Sequence, residues 1–182
     1  MTSNLSLVDP SLKYAAAFTA MAEEFQAAGE KRYDRILPLL RGDFPAHLIR
    51  LEQLARGENL PEGYVASREF WLLEEDTGRI LGAIRLRTKE MTPRLEQIDG
   101  QIGYNVRPCA RNAGYATRML AILLEKIREE GWARVLITCN SDNLASARVI
   151  EKNGGRLQNR VLEEETGKWI SRYWIELEQD AG

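Results

Sequence analysis

The chain has 182 residues, 44% of them hydrophobic and 29% charged, a composition suited to burying a core in a globular domain. With 27 acidic against 25 basic side chains the net charge is -2, which excludes a general affinity for nucleic acid or an anionic membrane and confines any basic site to a local patch. The two cysteines, Cys109 and Cys139, are too few for a disulfide framework, no apolar run nears the roughly 18 residues that span a bilayer, and the opening MTSNLSLVDP does not read as a secretory signal, so a cytoplasmic location is expected.

Leu5 to Val8 is a short apolar run stopped by Asp9 and Pro10, and reads as a first strand. Residues 11–28 follow as a helix: Asp9 or Ser11 caps it, Leu12, Ala15, Ala16, Met21 and Phe25 recur at helical spacing, and Gly29 ends it. A second helical region, 33–56, is interrupted by Pro38 and Pro45 into two or three short helices, and Pro61 with Gly63 closes a helical N-terminal part, 1–60. From Glu69 the period changes. Residues 69–74 and 79–89 are rich in branched and aromatic side chains on either side of Glu75-Asp76-Thr77-Gly78, which predicts a hairpin, and 97–106 is a third strand.

The stretch RPCARNAGYA, 107–116, is a tight turn into a helix over 115–130, whose stripe is Ala116, Met119, Leu120, Leu123, Leu124 and Ile127 and whose stop is Gly131. Residues 134–139, RVLITC, form a nearly unbroken apolar strand, followed by a short helix over 143–152 that stops at Asn153-Gly154-Gly155. A last hairpin pairs 156–163 with 168–177 across Glu165-Thr166-Gly167. This order predicts a mixed α/β fold, a largely antiparallel central sheet flanked by helices, with the helix after the turn crossing to a central strand.

A strand that turns sharply into a helix is an anion site, because the first helical amides have no partner inside the helix and the macrodipole adds partial positive charge. The ligand predicted there carries phosphate. Gly114 either supplies a positive φ or leaves room for the anion, and the small Ala116 allows an equally close approach. Arg111 is placed to pair with phosphate or simply to be solvated.

Arg111-Asn112-Ala113-Gly114-Tyr115-Ala116 is similar to the [Q/R]-x-x-G-x-[G/A] turn of the GNAT N-acetyltransferases. Downstream, Asn143-Leu144-Ala145-Ser146 followed by Ile150-Glu151-Lys152-Asn153-Gly154 resembles that family's second segment, in the right order and at the right separation. The likeness spans about residues 98–155, and IGYNVRP, LITCN and RYWIEL resemble a branch of acetyltransferases without assigned substrates.

The resemblance implies a single N-acetyltransferase domain over 1–182, with 98–155 as the acetyl-CoA-binding core and 1–60 shaping the acceptor pocket. Acetyl-CoA is then a co-substrate and no metal is needed. The amides of Asn112, Ala113, Gly114, Tyr115 and Ala116, with Arg111, hold the pyrophosphate; Val106 offers its amide to the thioester carbonyl; Asn143 and Ser146 contact the pantetheine arm. The acceptor is a primary amine of a small molecule, peptide or protein, with no nucleic acid and no membrane as partner, and the terminal hairpin is a place for a second copy to make a homodimer.

Acetyl transfer needs a carbonyl donor, a base for the ammonium and an acid for the thiolate. The Tyr that the family places near the end of the second segment falls on Ile150, and its carboxylate on the strand before the turn falls at or near Gly100, with Asp99 and Gln101 beside it, so both common proton carriers are missing. Alternation along 97–106 puts Tyr104 on the side of Gly100, Ile102 and Val106, making Tyr104 the candidate for proton relay, with Asp99 acting through water or merely capping its loop. Arg85 and Arg87 either read an acidic group or face solvent; His47 is read as incidental. Trp71, Trp169, Tyr173 and Trp174 either line an apolar pocket or belong to the core. Two other functions share the turn: a non-catalytic acyl-CoA binder, and a nucleotide-binding module, which the missing P-loop Lys-Ser/Thr argues against.

Overall fold

The computed structural model describes residues 4–60 and 62–177, so Pro61 and its expected role as a stop lie outside the described residues. The elements are β1 (Leu5–Val8), α1 (Ala15–Ala27), α2 (Leu37–Gly42), α3 (Phe44–Arg56), β2 (Ser67–Glu74), β3 (Arg79–Arg87), β4 (Ile102–Val106), α4 (Tyr115–Glu129), β5 (Arg134–Asn140), α5 (Leu144–Lys152), β6 (Arg156–Glu163) and β7 (Lys168–Glu176). Hydrogen bonding joins the strands in the order β1-β2-β3-β4-β5-β7-β6; the β1–β2, β5–β7 and β6–β7 ladders are antiparallel, and β4–β5 is parallel. A parallel neighbour needs a crossover, and α4 is the helix that makes it. The mixed, largely antiparallel sheet with flanking helices is therefore as expected. Contacts gather into two compact units: one runs to Arg85 and resumes over Tyr104–Met119, the other holds Leu86–Gly103 and the chain from Leu120 onward.

The first unit packs α1, α2 and α3 on an aromatic cluster. Phe18 stacks on Trp71 with ring centroids 4.1 Å apart, and Phe25 and Phe44 complete the group with Tyr33. Pro38 and Pro45 each sit in the first turn of their helix, where a missing N–H is harmless, so they start α2 and α3 instead of breaking one helix. Asp43 caps α3 by accepting from the Ala46 amide at 3.0 Å. At α1 the expected cap is not made. The chain enters through a three-residue 3-10 turn, Leu12–Tyr14, closed by the Tyr14 amide on the Ser11 carbonyl at 3.1 Å, with no side-chain cap from Ser11. That tighter turn takes Leu12 off the apolar stripe and leaves it 59% exposed. His47 is buried against Phe18 and Phe44, and burial pulls its pKa below the usual histidine value.

In the second unit β7 lies between β5 and β6, with Ile137 opposite Tyr173 and Thr138 opposite Arg172. The expected strand over 97–106 is shorter: it starts at Ile102, and Leu95–Asp99 forms a π turn instead. Gly100 is the reason. Its φ is +61°, and a Cβ there would stand 2.9 Å from the Thr138 amide nitrogen and 3.1 Å from the Leu136 carbonyl, so no other residue fits. The alternation expected for Asp99, Gly100 and Gln101 accordingly fails, since only Ile102–Val106 is strand. Gln101 restores the pairing with its side chain. Its Oε1 accepts from the Leu136 amide at 3.0 Å, and its Nε2 donates to the carbonyls of Thr88 and Lys89, both at 3.3 Å.

Candidate active site

The turn after β4 is built by its backbone. Pro108 opens a 3-10 turn over Pro108–Ala110, Arg111 is extended, and Asn112 and Gly114 both take positive φ, 62° and 81°. The first i to i-4 bond of α4 runs from the Arg118 amide to the Gly114 carbonyl at 3.1 Å. The amides of Gly114, Tyr115 and Ala116 precede it and have no acceptor within the helix. A Cβ at Gly114 would meet nothing within 4 Å, so glycine serves the left-handed backbone there rather than a tight packing contact. First-turn amides at the start of α4, reached through a left-handed Gly114, suit a pyrophosphate.

Two arginine clamps brace this turn, and neither was legible in the sequence, because each joins residues more than 80 positions apart. Arg107 is buried: Nε donates to Glu24 at 2.8 Å and Nη1 to the Ile80 carbonyl at 3.2 Å. Glu24 also accepts from the Cys109 amide at 2.6 Å and from its thiol at 3.3 Å. Burial pushes the Glu24 carboxyl up, but the hydrogen bonds from Cys109 and Arg107 outweigh it and hold the pKa at about 2. Arg111 reaches the other way, with Nη1 and Nη2 on the two oxygens of Glu30 at 2.6 and 2.9 Å, Nε on the Val106 carbonyl at 3.2 Å, and its guanidinium over the Phe25 ring. Three of its five N–H groups are thus engaged by protein, so Arg111 shapes the turn from behind and ties it to Val106.

On β4, Tyr104 is half-buried two residues before Val106, and the intervening Asn105 accepts from the Tyr33 hydroxyl at 3.0 Å. Gly82 on β3 lets this part of β4 approach: a Cβ there would lie 2.5 Å from the Asn105 carbonyl oxygen. The aromatic Trp71 belongs to the core. Arg85 is paired to Glu69 at 2.9 Å and is not a free reader of acidic groups.

In the second unit, Asp99 ends the π turn and its carboxylate is held by Arg94 Nε at 3.0 Å, while Arg87 Nη1 donates to the Asp99 and Gly100 carbonyls. Asn143 caps α5, accepting from the Ser146 amide at 3.1 Å. Cys139 is half-buried near Ser146; burial raises its pKa, in keeping with an inert thiol. Ile150 is fully buried and packs so closely on Gly155 that a Cβ there would lie 2.4 Å from its Cγ2. The other aromatics do not form one lining: Trp169 is 55% exposed, Trp174 stacks with Arg134, and Tyr173 is buried, its hydroxyl donating to Glu151 at 3.3 Å. Among the described residues no cluster of three or more His, Cys, Asp or Glu is placed to hold a metal, and no helix is long and apolar enough to cross a membrane.

A strand delivering an amide-bearing turn to a crossover helix is an α/β arrangement suited to a phosphate-bearing ligand. The family model described as the acetyltransferase (GNAT) domain matches residues 14–156. The chain belongs to the GNAT acetyltransferases, enzymes that move an acetyl group from acetyl-CoA to an amine. No curated protein matches it by sequence. Among solved structures it is similar to the ribosomal L7/L12 α-N-protein acetyltransferase RimL in complex with coenzyme A, at 17% identity over 97% of this chain and 95% of that one, TM-score 0.69. It is also similar to the microcin C7 self-immunity acetyltransferase MccE in complex with acetyl-CoA and AMP, at 14% identity over 97% and 93%, TM-score 0.67. A chimera of the Vibrio cholerae spermidine N-acetyltransferase SpeG with hSSAT matches at 13% identity over 96% of both chains, TM-score 0.64. At such identities the likeness shows a shared fold.

Proposed function

We propose that the chain transfers the acetyl group of acetyl-CoA directly to a primary amine of a small molecule, peptide or protein. The observation that carries this is the strand-turn-helix at 106–116, whose first helical amides lie ahead of the Arg118–Gly114 bond and whose Gly114 has open space at its Cβ position, in a chain of the GNAT family. The solved relatives named for a protein α-amine and for spermidine support an amine acceptor.

In this reading Asn112, Ala113, Gly114, Tyr115 and Ala116 hold the pyrophosphate on their amides, with Arg111 bracing them. Val106 presents its amide to the thioester oxygen, where negative charge develops. Asn143 and Ser146 steady the pantetheine arm. The amine nitrogen bonds to the thioester carbon, the carbon–sulfur bond breaks, the ammonium proton leaves and the thiolate sulfur takes one up. Tyr104 is our candidate for relaying a proton. Asp99 is the alternative, working through water once released from Arg94. Such a chain belongs in the cytoplasm, and a second copy would add at the exposed edge strand β6.

The test is a titration with acetyl-CoA and a panel of amines while free thiol is followed. Thiol release with any amine supports transfer. Binding with no release from any amine favours the acyl-CoA binder, the reading that Ile150 and Gly100 recommend, and tight binding of ATP or NAD with none of CoA favours the nucleotide module.

A further inference from the structure

Arg172 on β7 is a buried cation whose ion pair is long and whose Nε has no hydrogen-bond partner. Its side chain is 8% exposed. Nη1 donates to Asn159 Oδ1 on β6 at 3.1 Å, but Nε has no hydrogen-bond partner. Its ion pair is with Glu96 of the π turn, whose Oε1 stands 3.9 Å from Nη2, outside hydrogen-bond reach, on a side chain 56% exposed. A buried guanidinium is ordinarily paired and hydrogen-bonded, because its desolvation is otherwise uncompensated. Nε shares an edge with Nη2, whose ion pair to Glu96 is the long one, and that edge is the fork that accepts a carboxylate through two parallel bonds.

The position of that fork in the second unit matters. Arg172 is the cross-strand partner of Thr138 and shares its face of the sheet. Thr138 in turn abuts Gly100, at or near which the family resemblance puts the carboxylate that would draw a proton from the acceptor. Gly100, Thr138 and Arg172 therefore form a row across the strands, about 10 Å from end to end at ordinary strand spacing.

We propose that the Nε–Nη2 edge of Arg172 receives the carboxylate of an acceptor that carries this group within a residue or two of its reacting amine. Glu96 is the placeholder that such a carboxylate displaces, and its exposure lets it swing into solvent. The acceptor class is thus an amino carboxylate, from an acidic residue near a peptide N-terminus or from a free amino acid. This rests on the transfer reading above.

Thiol release is measured with acetyl-CoA and four acceptors: Ala-Glu-Ala amide, Ala-Gln-Ala amide, alanine and alaninamide. The expected result is a KM about tenfold or more lower for one acidic member than for its neutral counterpart, since a charge-assisted pair supplies that much, with kcat close to equal. A preference within the peptide pair points to an acidic peptide, one within the second pair to an amino acid. R172Q should abolish the difference, R172K restore only part of it, and E96Q lower the KM for the acidic acceptor further. Equal KM values within both pairs for the unaltered chain overturn the proposal, as does an R172Q effect on kcat that is the same for acidic and neutral acceptors. Should R172Q melt far below the parent, the parent comparison and E96Q, at an exposed position, decide alone. No release from any of the four while another amine of the panel releases thiol overturns the assignment, and no release from any amine with acetyl-CoA bound refutes transfer instead. Calorimetric titration of the same four into the CoA-loaded chain then reads the assignment: tenfold preference supports it, and equal affinity overturns it.

Discussion

Replacing Gly114 by alanine separates folding from ligand binding at one atom. The new Cβ meets nothing within 4 Å in the free protein, so the folding penalty is the left-handed backbone alone, about 1 kcal/mol. If the turn holds the pyrophosphate as proposed, the same methyl group crowds the anion against the amides of Gly114, Tyr115 and Ala116. Losing two charge-assisted amide bonds to phosphate, each about 1.5–3 kcal/mol, weakens coenzyme A binding by at least 3 kcal/mol, roughly 100-fold in Kd. Gly131 supplies the control. It has φ +76° at the other end of α4, and a Cβ there also meets nothing within 4 Å. G131A should therefore cost the same 1 kcal/mol or so and leave binding unchanged. Kd is read by calorimetry with CoA and stability by urea unfolding. If G114A binds CoA as the parent does, or if G131A weakens it equally, the turn is not the pyrophosphate site.

Glu24→Gln leaves the buried Arg107 without its counterion and should destabilise the chain by about 3 kcal/mol in urea unfolding near neutral pH. The folded carboxyl sits at about 2 against 4.5 when unfolded, so its contribution is complete above pH 4.5 and fades as pH falls toward 2; the acid limb of the stability curve should flatten in E24Q, and an unchanged limb would remove Glu24 from that account. His47 works in the same direction in a different window. Its folded pKa lies below 6.5, so the unfolded chain takes up a proton first and stability is lost as pH drops under 6.5; with both ring nitrogens buried and unpartnered, His47→Leu should be close to neutral at pH 8 and more stable than the parent at pH 5.5, and a loss of several kcal/mol at pH 8 would show that the imidazole is satisfied. Tyr104→Phe should lower kcat about 100-fold or more while acetyl-CoA affinity holds, and a kcat within a few-fold of the parent excludes Tyr104 as the relay.

Local chemistry made much of this legible in advance. Branched and aromatic runs on either side of a turn cluster marked β2 and β3, the apolar run RVLITC marked β5, and Gly114 announced the turn that its backbone does form. Where a signal depends on neighbours in sequence, a one-dimensional reading suffices. The strand expected over 97–106 failed for the opposite reason. Gly100 is dictated by the Thr138 amide and the Leu136 carbonyl, and the pairing it interrupts is completed by the Gln101 side chain, none of which alternation can register.

What the sequence alone determined is the family, the order of its elements and the identity of the donor, because a pyrophosphate turn is a contiguous motif whose amides point wherever its own backbone sends them. Only the tertiary structure decided what steadies that turn and which charges are left unmatched. Arg107 finds Glu24 from 83 positions away, Arg111 finds Glu30 from 81, and Arg172 is buried without an equal partner. Whether a given arginine is solvated, clamped or waiting for an anion follows from burial and from the carboxylates that packing brings near, and packing is set by the whole chain at once.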